Sequence, residues 1–223
     1  MFIVLEGLDG AGKSTQVGML KAFLERRTSL RYIHFPRYDA PVYGELISKF
    51  LRGGFGAIGA VHPQLVALLF AEDRHTAAAD IRAALQAGQT VLLDRYVYSN
   101  IAYQCAKLPD RDEAEALRKW ILETEYGDFA LPRPDLNIFL DVPLSFVEQN
   151  LSRQRDGQDR AYLQGSHDIH EADLTFQRRV QAIYRRQAEL DPAFIAVDCA
   201  GPDGAMLPPD EIFSKVRTIY EGR

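Results

Sequence analysis

The chain has 223 residues, a formal net charge of −5 and 47% hydrophobic residues. That length suits one α/β domain with a sizeable core. The acidic balance argues against general nucleic-acid binding, and no stretch is long and apolar enough to span a membrane.

Short β-branched runs alternate with longer helical segments along the chain. Strands are predicted at residues 2–6, 32–35, 90–94, 136–141 and 194–198. None alternates cleanly with polar residues, so each reads as a strand buried on both faces. Helices are predicted at 13–26, 42–51, 63–87, 111–124, 144–153, 173–190 and 209–220. Gly88 stops the third of these, as a glycine just past a helix end does. Such alternation implies right-handed crossovers and an α/β fold with a five-stranded parallel sheet flanked by helices. Two stretches break the rhythm: the glycine-rich 52–59 and the polar, charged 153–171. Loops that long in a compact domain are usually functional or disordered. The first strand has no basic leader before it. Cys105 and Cys199 fit no metal or redox spacing. A cytoplasmic protein with reduced thiols is therefore expected.

The first strand runs into Gly7-Leu8-Asp9-Gly10-Ala11-Gly12-Lys13-Ser14, which fits G-x-x-x-x-G-K-[ST]. The glycines let backbone N–H groups turn inward around a polyphosphate. Lys13 adds a mobile cation at the β/γ phosphates, Ser14 a hydroxyl for Mg²⁺, and the following helix N-terminus favours an anion. The plain alternative is a glycine turn with an accidental lysine. A strand before and a helix after argue against it, so a nucleoside triphosphate with Mg²⁺ is expected here. A GTPase switch would carry N-K-x-D to read its base, and the chain has none. A motor or transporter ATPase needs partner surfaces that a chain this short hardly offers.

Three further places suit a second, smaller phosphate-bearing ligand. Phe35-Pro36-Arg37 ends the second strand. Leu69-Phe70-Ala71-Glu72-Asp73-Arg74 lies in a helix, where Phe70 and Arg74 are four apart and share a face. Asp94 to Gln104, DRYVYSNIAYQ, leaves the carboxyl end of the third strand, where open α/β sheets bind ligands. Singly, Phe70 reads equally as core and Arg74 as a solvated helix charge; Tyr96 and Tyr98 read as packing residues.

Taken in order, EGLDGAGKST, FPR, LLFAEDR, DRYVYSNIAYQ and PDLNIFLDV resemble the thymidylate kinase family, over most of the chain. The resemblance implies a nucleoside monophosphate kinase version of the three-layer P-loop fold. It spans 1–223 as one domain, with a lid at about 153–171. It implies transfer of the ATP γ-phosphoryl group to dTMP with Mg²⁺, in a homodimer. By the same resemblance Gly7, Leu8, Asp9, Gly10, Ala11, Gly12, Lys13, Ser14 and Thr15 hold ATP, with Arg153 against adenine. Ser14 and Asp94 serve the metal. Arg37 and Arg95 grip the dTMP phosphate, Phe70 stacks on thymine, and Arg74 hydrogen-bonds its O4 edge. Tyr103 fills the place of a ribose 2′-OH, Asp9 contacts the 3′-OH directly or through water, and Asn100 and Gln104 complete the polar contacts.

Within that family one arrangement puts an arginine in the phosphate loop and the other supplies it from the lid. Gly10 here resembles the second kind. Arg155-Asp156-Gly157-Gln158-Asp159-Arg160 is similar to the family's R-G-x-x-D-R, with Asp156 where glycine is usual. Arg155 is then the arginine at the γ-phosphate, ahead of Arg153 and Arg160, and joins Lys13, Arg95 and Asp9 as the catalytic set. Lid closure would bring Tyr162 and Gln177 toward dTMP. Asp168, His170 and Glu171 have hard-ligand character, but no partner cluster appears elsewhere, and acidic residues ahead of a helix read better there. Rival readings are another nucleoside monophosphate kinase, a deoxynucleoside kinase, or a regulatory module that binds ATP without transferring phosphate.

Overall fold

The computed structural model of the chain describes residues 1–152, 163, 168, 170 and 173–223. Five strands, β1 (Phe2–Gly7), β2 (Leu30–His34), β3 (Thr90–Asp94), β4 (Leu136–Asp141) and β5 (Phe194–Asp198), form one parallel sheet in the order β2-β3-β1-β4-β5. β1 and β3 are buried along their whole length, as continuous apolar runs covered on both faces must be. β2, at an edge, is only half-buried. It ends at His34, one residue before the expected end at Phe35.

The helices are α1 (Lys13–Glu25), α2 (Tyr43–Leu51), α3 (Pro63–Gln86), α4 (Val97–Cys105), α5 (Arg111–Glu123), α6 (Leu144–Ser152), α7 (Leu174–Leu190) and α8 (Pro209–Glu221). α1 packs on α8, while α4 packs on α3, α5 and α7. Expected helix ends hold to within one residue for every predicted helix. The α3 end is typical: Gly88 takes φ 73° and stops it.

α4 is absent from the predicted helices. All nine of its residues are buried, so no polar face marks a helical period. The sequence also gives no warning of the π-helical turn Thr124–Asp128 that extends α5. Tyr96 and Tyr98 are buried packing residues, as expected. Both cysteines are buried and free. No helix among the described residues is long and apolar enough to cross a membrane.

Candidate active site

The loop between β1 and α1 is shaped by Gly10 and Gly12, whose φ angles of 73° and 72° favour residues without a Cβ. Gly12 is the N-cap of α1, and no side chain among the described residues caps that terminus. Its first N–H groups are therefore available to an anion. Lys13 Nζ donates to the Leu8 carbonyl at 3.0 Å, folded over the loop it would share with phosphate. From α6, Asn150 Nδ2 braces the loop by donating to the Gly10 carbonyl at 2.8 Å. Burial and then the neighbouring Arg95 push the Lys13 ammonium down to about 8, against Asp94, Asp9 and Glu6.

Beyond the loop opens a cleft of about 520 Å³ at the carboxyl ends of β1, β2 and β3. Among its lining residues are Asp9, Phe70, Arg74, Arg95, Asn100, Tyr103 and Gln104. These seven expected residues, from three separate segments, thus meet in one place. Arg95 takes φ 69°, an uncommon value for a residue with a side chain, and keeps its backbone N–H on the Leu5 carbonyl at 2.9 Å. Its Nη2 donates to Asp9 Oδ1 at 2.6 Å, and its Nη1 to Ser99 Oγ at 3.1 Å. The Tyr103 hydroxyl donates to Asp9 Oδ2 at 2.7 Å and accepts from the Asp9 N–H at 3.1 Å. Burial works against the Asp9 carboxylate, yet Arg95, Lys13 and the Tyr103 hydroxyl hold its pKa down to about 2.

Arg37 is placed differently. Its Nε donates to Asp73 Oδ1 at 3.0 Å and its Nη2 to the Asp73 carbonyl at 2.7 Å, so its guanidinium lies against α3. Its neighbours Phe35, Pro36 and Tyr38 line the cleft instead. Gln177, expected to approach on lid closure, already donates to Asp9 Oδ2 at 3.3 Å and to the His170 carbonyl at 2.8 Å. Arg153, Arg155, Arg160 and Tyr162 lie outside the described residues. Asp173 is the N-cap of α7, accepting from the Thr175 N–H at 2.7 Å.

The sequence does not give Glu6, Glu125 or His170 the parts they take here, and it offers His170 only as a hard-ligand candidate ahead of a helix. Glu6, fully buried at the end of β1, accepts from the N–H groups of Tyr96 and Ser99 at 2.9 and 3.1 Å and so caps α4 from outside. Burial raises its pKa, against the Ser99 hydrogen bond and Arg95. Glu125 accepts from Arg74 and Asn100. His170 lines the cleft, with a ring 5.3 Å from that of Tyr103. Burial and then Lys107 keep its imidazole neutral. A partner far away in sequence leaves no local signal for any of these.

Asp94 ends β3, and its Oδ2 lies 3.2 Å from His34 Nδ1. Its Oδ1 is buried without a hydrogen-bond partner among the described residues. Burial opposes its ionisation, but His34, Lys13 and Arg95 hold its carboxyl below the usual range. An orphaned carboxylate oxygen beside the phosphate loop fits a hydrated Mg²⁺, which takes one or two carboxylates plus phosphates. A second, mostly apolar cleft of about 410 Å³ runs from Gly12, Thr15 and Gln16 to Cys199, Met206 and Leu207.

A glycine loop at the first strand–helix turn of a β2-β3-β1-β4-β5 parallel sheet, with a second cleft beside it, defines a P-loop nucleoside monophosphate kinase fold. The thymidylate kinase family model matches residues 5–205. Thymidylate kinase of Mycobacterium tuberculosis (strain ATCC 25618 / H37Rv) is 33% identical over 218 residues, 91% of this chain and 99% of that protein. That of Thermomicrobium roseum is 37% identical over 218 residues, 96% of this chain and 91% of its own. The solved structure of thymidylate kinase from Candida albicans superposes with a TM-score of 0.74 at 29% identity, covering 99% of this chain and 91% of that one. The chain belongs to the thymidylate kinase family.

Proposed function

We propose that the protein transfers the γ-phosphoryl group of ATP to dTMP, giving dTDP and ADP. The observation that carries this is Asp9: one residue of the phosphate loop that also lines the 520 Å³ cleft and pairs there with Arg95 and Tyr103. Donor and acceptor phosphates would then meet head to head across it. In this reading Lys13 and the loop N–H groups hold the β/γ phosphates, and Arg95 grips the acceptor phosphate. Arg37 swings from Asp73 to join it. Phe70 stacks on the base, Arg74 and Asn100 read its edge, and the 410 Å³ cleft takes adenine.

Ser14 and Asp94 would hold Mg²⁺, which neutralises charge on the triphosphate. No general base is required, because a phosphate monoester is already an anionic nucleophile. What the chain must supply is alignment and fixed positive charge. Arg155, from a lid over about 153–171, is assigned to the γ-phosphate; by analogy with arginine fingers its loss would cost about 10³-fold in rate. The exposed apolar side chains Val42, Leu46, Leu65 and Leu68 on and beside α2 and α3 support a homodimer through that face. The buried free thiols suit a cytoplasmic setting.

The test is coupled ADP release with dTMP, dUMP, UMP, AMP and thymidine as acceptors. Best turnover with dTMP is expected, with some activity on dUMP because a methyl is worth only about 1–3 kcal/mol. Stimulation by thymidine alone would instead make it a nucleoside kinase. Acceptor-independent behaviour would leave an ATP-binding module.

A further inference from the structure

Arg74 of α3 and Asn100 of α4 both wall the acceptor cleft, and one residue holds both. Glu125 stands in the π-helical turn and is 0% exposed. Its Oε2 accepts from Arg74 Nε at 2.5 Å and its Oε1 from Arg74 Nη2 at 2.7 Å. Oε1 also accepts from Asn100 Nδ2 at 2.9 Å. The same Asn100 nitrogen donates to the Ala67 carbonyl at 3.0 Å. A carbonyl and a carboxylate only accept, so chemistry fixes which way this amide points. Its Oδ1 is left buried with no hydrogen-bond partner among the described residues. Such a group is uncommon and costs free energy until something donates to it.

We infer that Glu125 is the positioning residue that sets the polarity of base recognition, holding Arg74 as a donor and Asn100 as an acceptor at the cleft wall. The inference rests on the reading of that cleft as the dTMP site. Thymine and uracil present an acceptor, O4, beside a donor, N3–H. Cytosine presents the reverse, an amino donor beside a bare N3. Arg74 has no acceptor to offer the amino group, and Asn100 Oδ1 has no proton to offer N3. One carboxylate thus imposes the Arg74 half of the rejection and shares the Asn100 half with the Ala67 carbonyl. The widened π turn, a feature often found at functional sites, is what brings it inward from the end of α5.

The test compares kcat/KM for dUMP and dCMP, which differ only along that edge. Glu125→Gln keeps the shape but turns one acceptor into an N–H. Whichever carboxylate oxygen becomes the amide nitrogen then faces an Arg74 N–H, so the two-point hold on the Arg74 donor is broken, while the Ala67 carbonyl still orients Asn100. The dUMP preference is expected to fall by about tenfold or more, through KM rather than kcat, because buried mismatched polar groups carry most of such discrimination. Glu125→Asp keeps the charge but draws the carboxylate back by one methylene, so it should lower the dUMP preference in the same direction and less far than Glu125→Gln does.

A folded Glu125→Gln protein with an unchanged dUMP:dCMP ratio overturns the inference. If Glu125→Gln does not fold, Glu125→Asp decides alone. A lowered dUMP preference in that variant supports the inference, and an unchanged dUMP:dCMP ratio overturns it. Failure of the underlying function reads differently: the wild-type protein then releases no ADP in response to dTMP or dUMP, and the inference falls with it.

Discussion

Arg95 Nη2 stands 2.6 Å from Asp9 Oδ1, so a residue leaving β3 is clamped to the phosphate loop that leaves β1. The two ends of the site are thereby held at a set distance before any nucleotide arrives. The pair is partly open, with side-chain exposures of 11% and 21%, so an incoming phosphate can reach the guanidinium.

The clamp makes stability depend on pH. The Asp9 carboxyl titrates at about 2 in the fold against an ordinary 3.8. Its contribution is therefore fully present above the ordinary value and is lost as pH falls through the folded one. By that linkage Asp9→Asn should be less stable than wild type at neutral pH, by on the order of 2 kcal/mol. Urea unfolding should show the gap closing between about pH 4 and pH 2. A gap that stays constant across that window contradicts the assignment.

Lys13 carries a second pH signature. Burial and Arg95 lower its pKa to about 8 in the free protein, so above that pH it loses the charge needed to meet phosphate. Bound phosphate favours the ammonium and raises the value again. Hence kcat/KM for ATP should decline above about pH 8 while kcat persists to higher pH, since the two report free and bound enzyme respectively. Lys13→Met should lower kcat by about 10²-fold or more, as loss of one preorganised cation does elsewhere. Parallel pH profiles for the two parameters would place the group elsewhere.

Tyr103 offers the hydroxyl that both donates to Asp9 and stands 3.4 Å from Arg95. If this ring fills the place of a ribose 2′-OH, Tyr103→Phe removes the polar half of the barrier but not its bulk. Discrimination between dTMP and its ribonucleotide should then weaken by about tenfold, whereas Tyr103→Ala should nearly abolish it. Equal rates for the two acceptors in wild type would remove the role altogether.

The phosphate loop was legible because its residues are contiguous and their spacing is set by a single turn. The cleft was legible only through family-like segments, since Phe70 alone reads as core and Asn100 and Tyr103 stand in α4, whose burial on every side leaves no helical period to read. Arg37 shows the limit: the sequence suggested a cation for phosphate, but Asp73 and Thr76, 36 and 39 residues away, hold it against α3. α4 was invisible as a helix for the reason it matters, burial on every side. Glu125 and Glu6 were missed because their partners lie 25 or more residues away, a relation no local pattern encodes.

Glu6 leads to the last expectation. Its carboxylate accepts from the Tyr96 and Ser99 N–H groups, from the Ser99 hydroxyl, and from the Tyr184 hydroxyl at 3.0 Å. Ser99 Oγ in turn accepts from Arg95 Nη1. The chain Glu6–Ser99–Arg95 therefore caps α4 and aims the cleft arginine with the same atoms. Glu6→Gln places an N–H among groups that are mostly donors, leaving at least one unpaired in the interior. That should cost about 1–3 kcal/mol of stability. It should also raise KM for dTMP more than KM for ATP, because Arg95 loses its rest while the loop glycines do not. Ser99→Ala should shift KM for dTMP in the same direction with a smaller stability loss, since the cap from Glu6 to the backbone survives. Equal effects of both variants on the two substrates would mean that Glu6 only holds the fold, and that Arg95 is aimed by Asp9 alone.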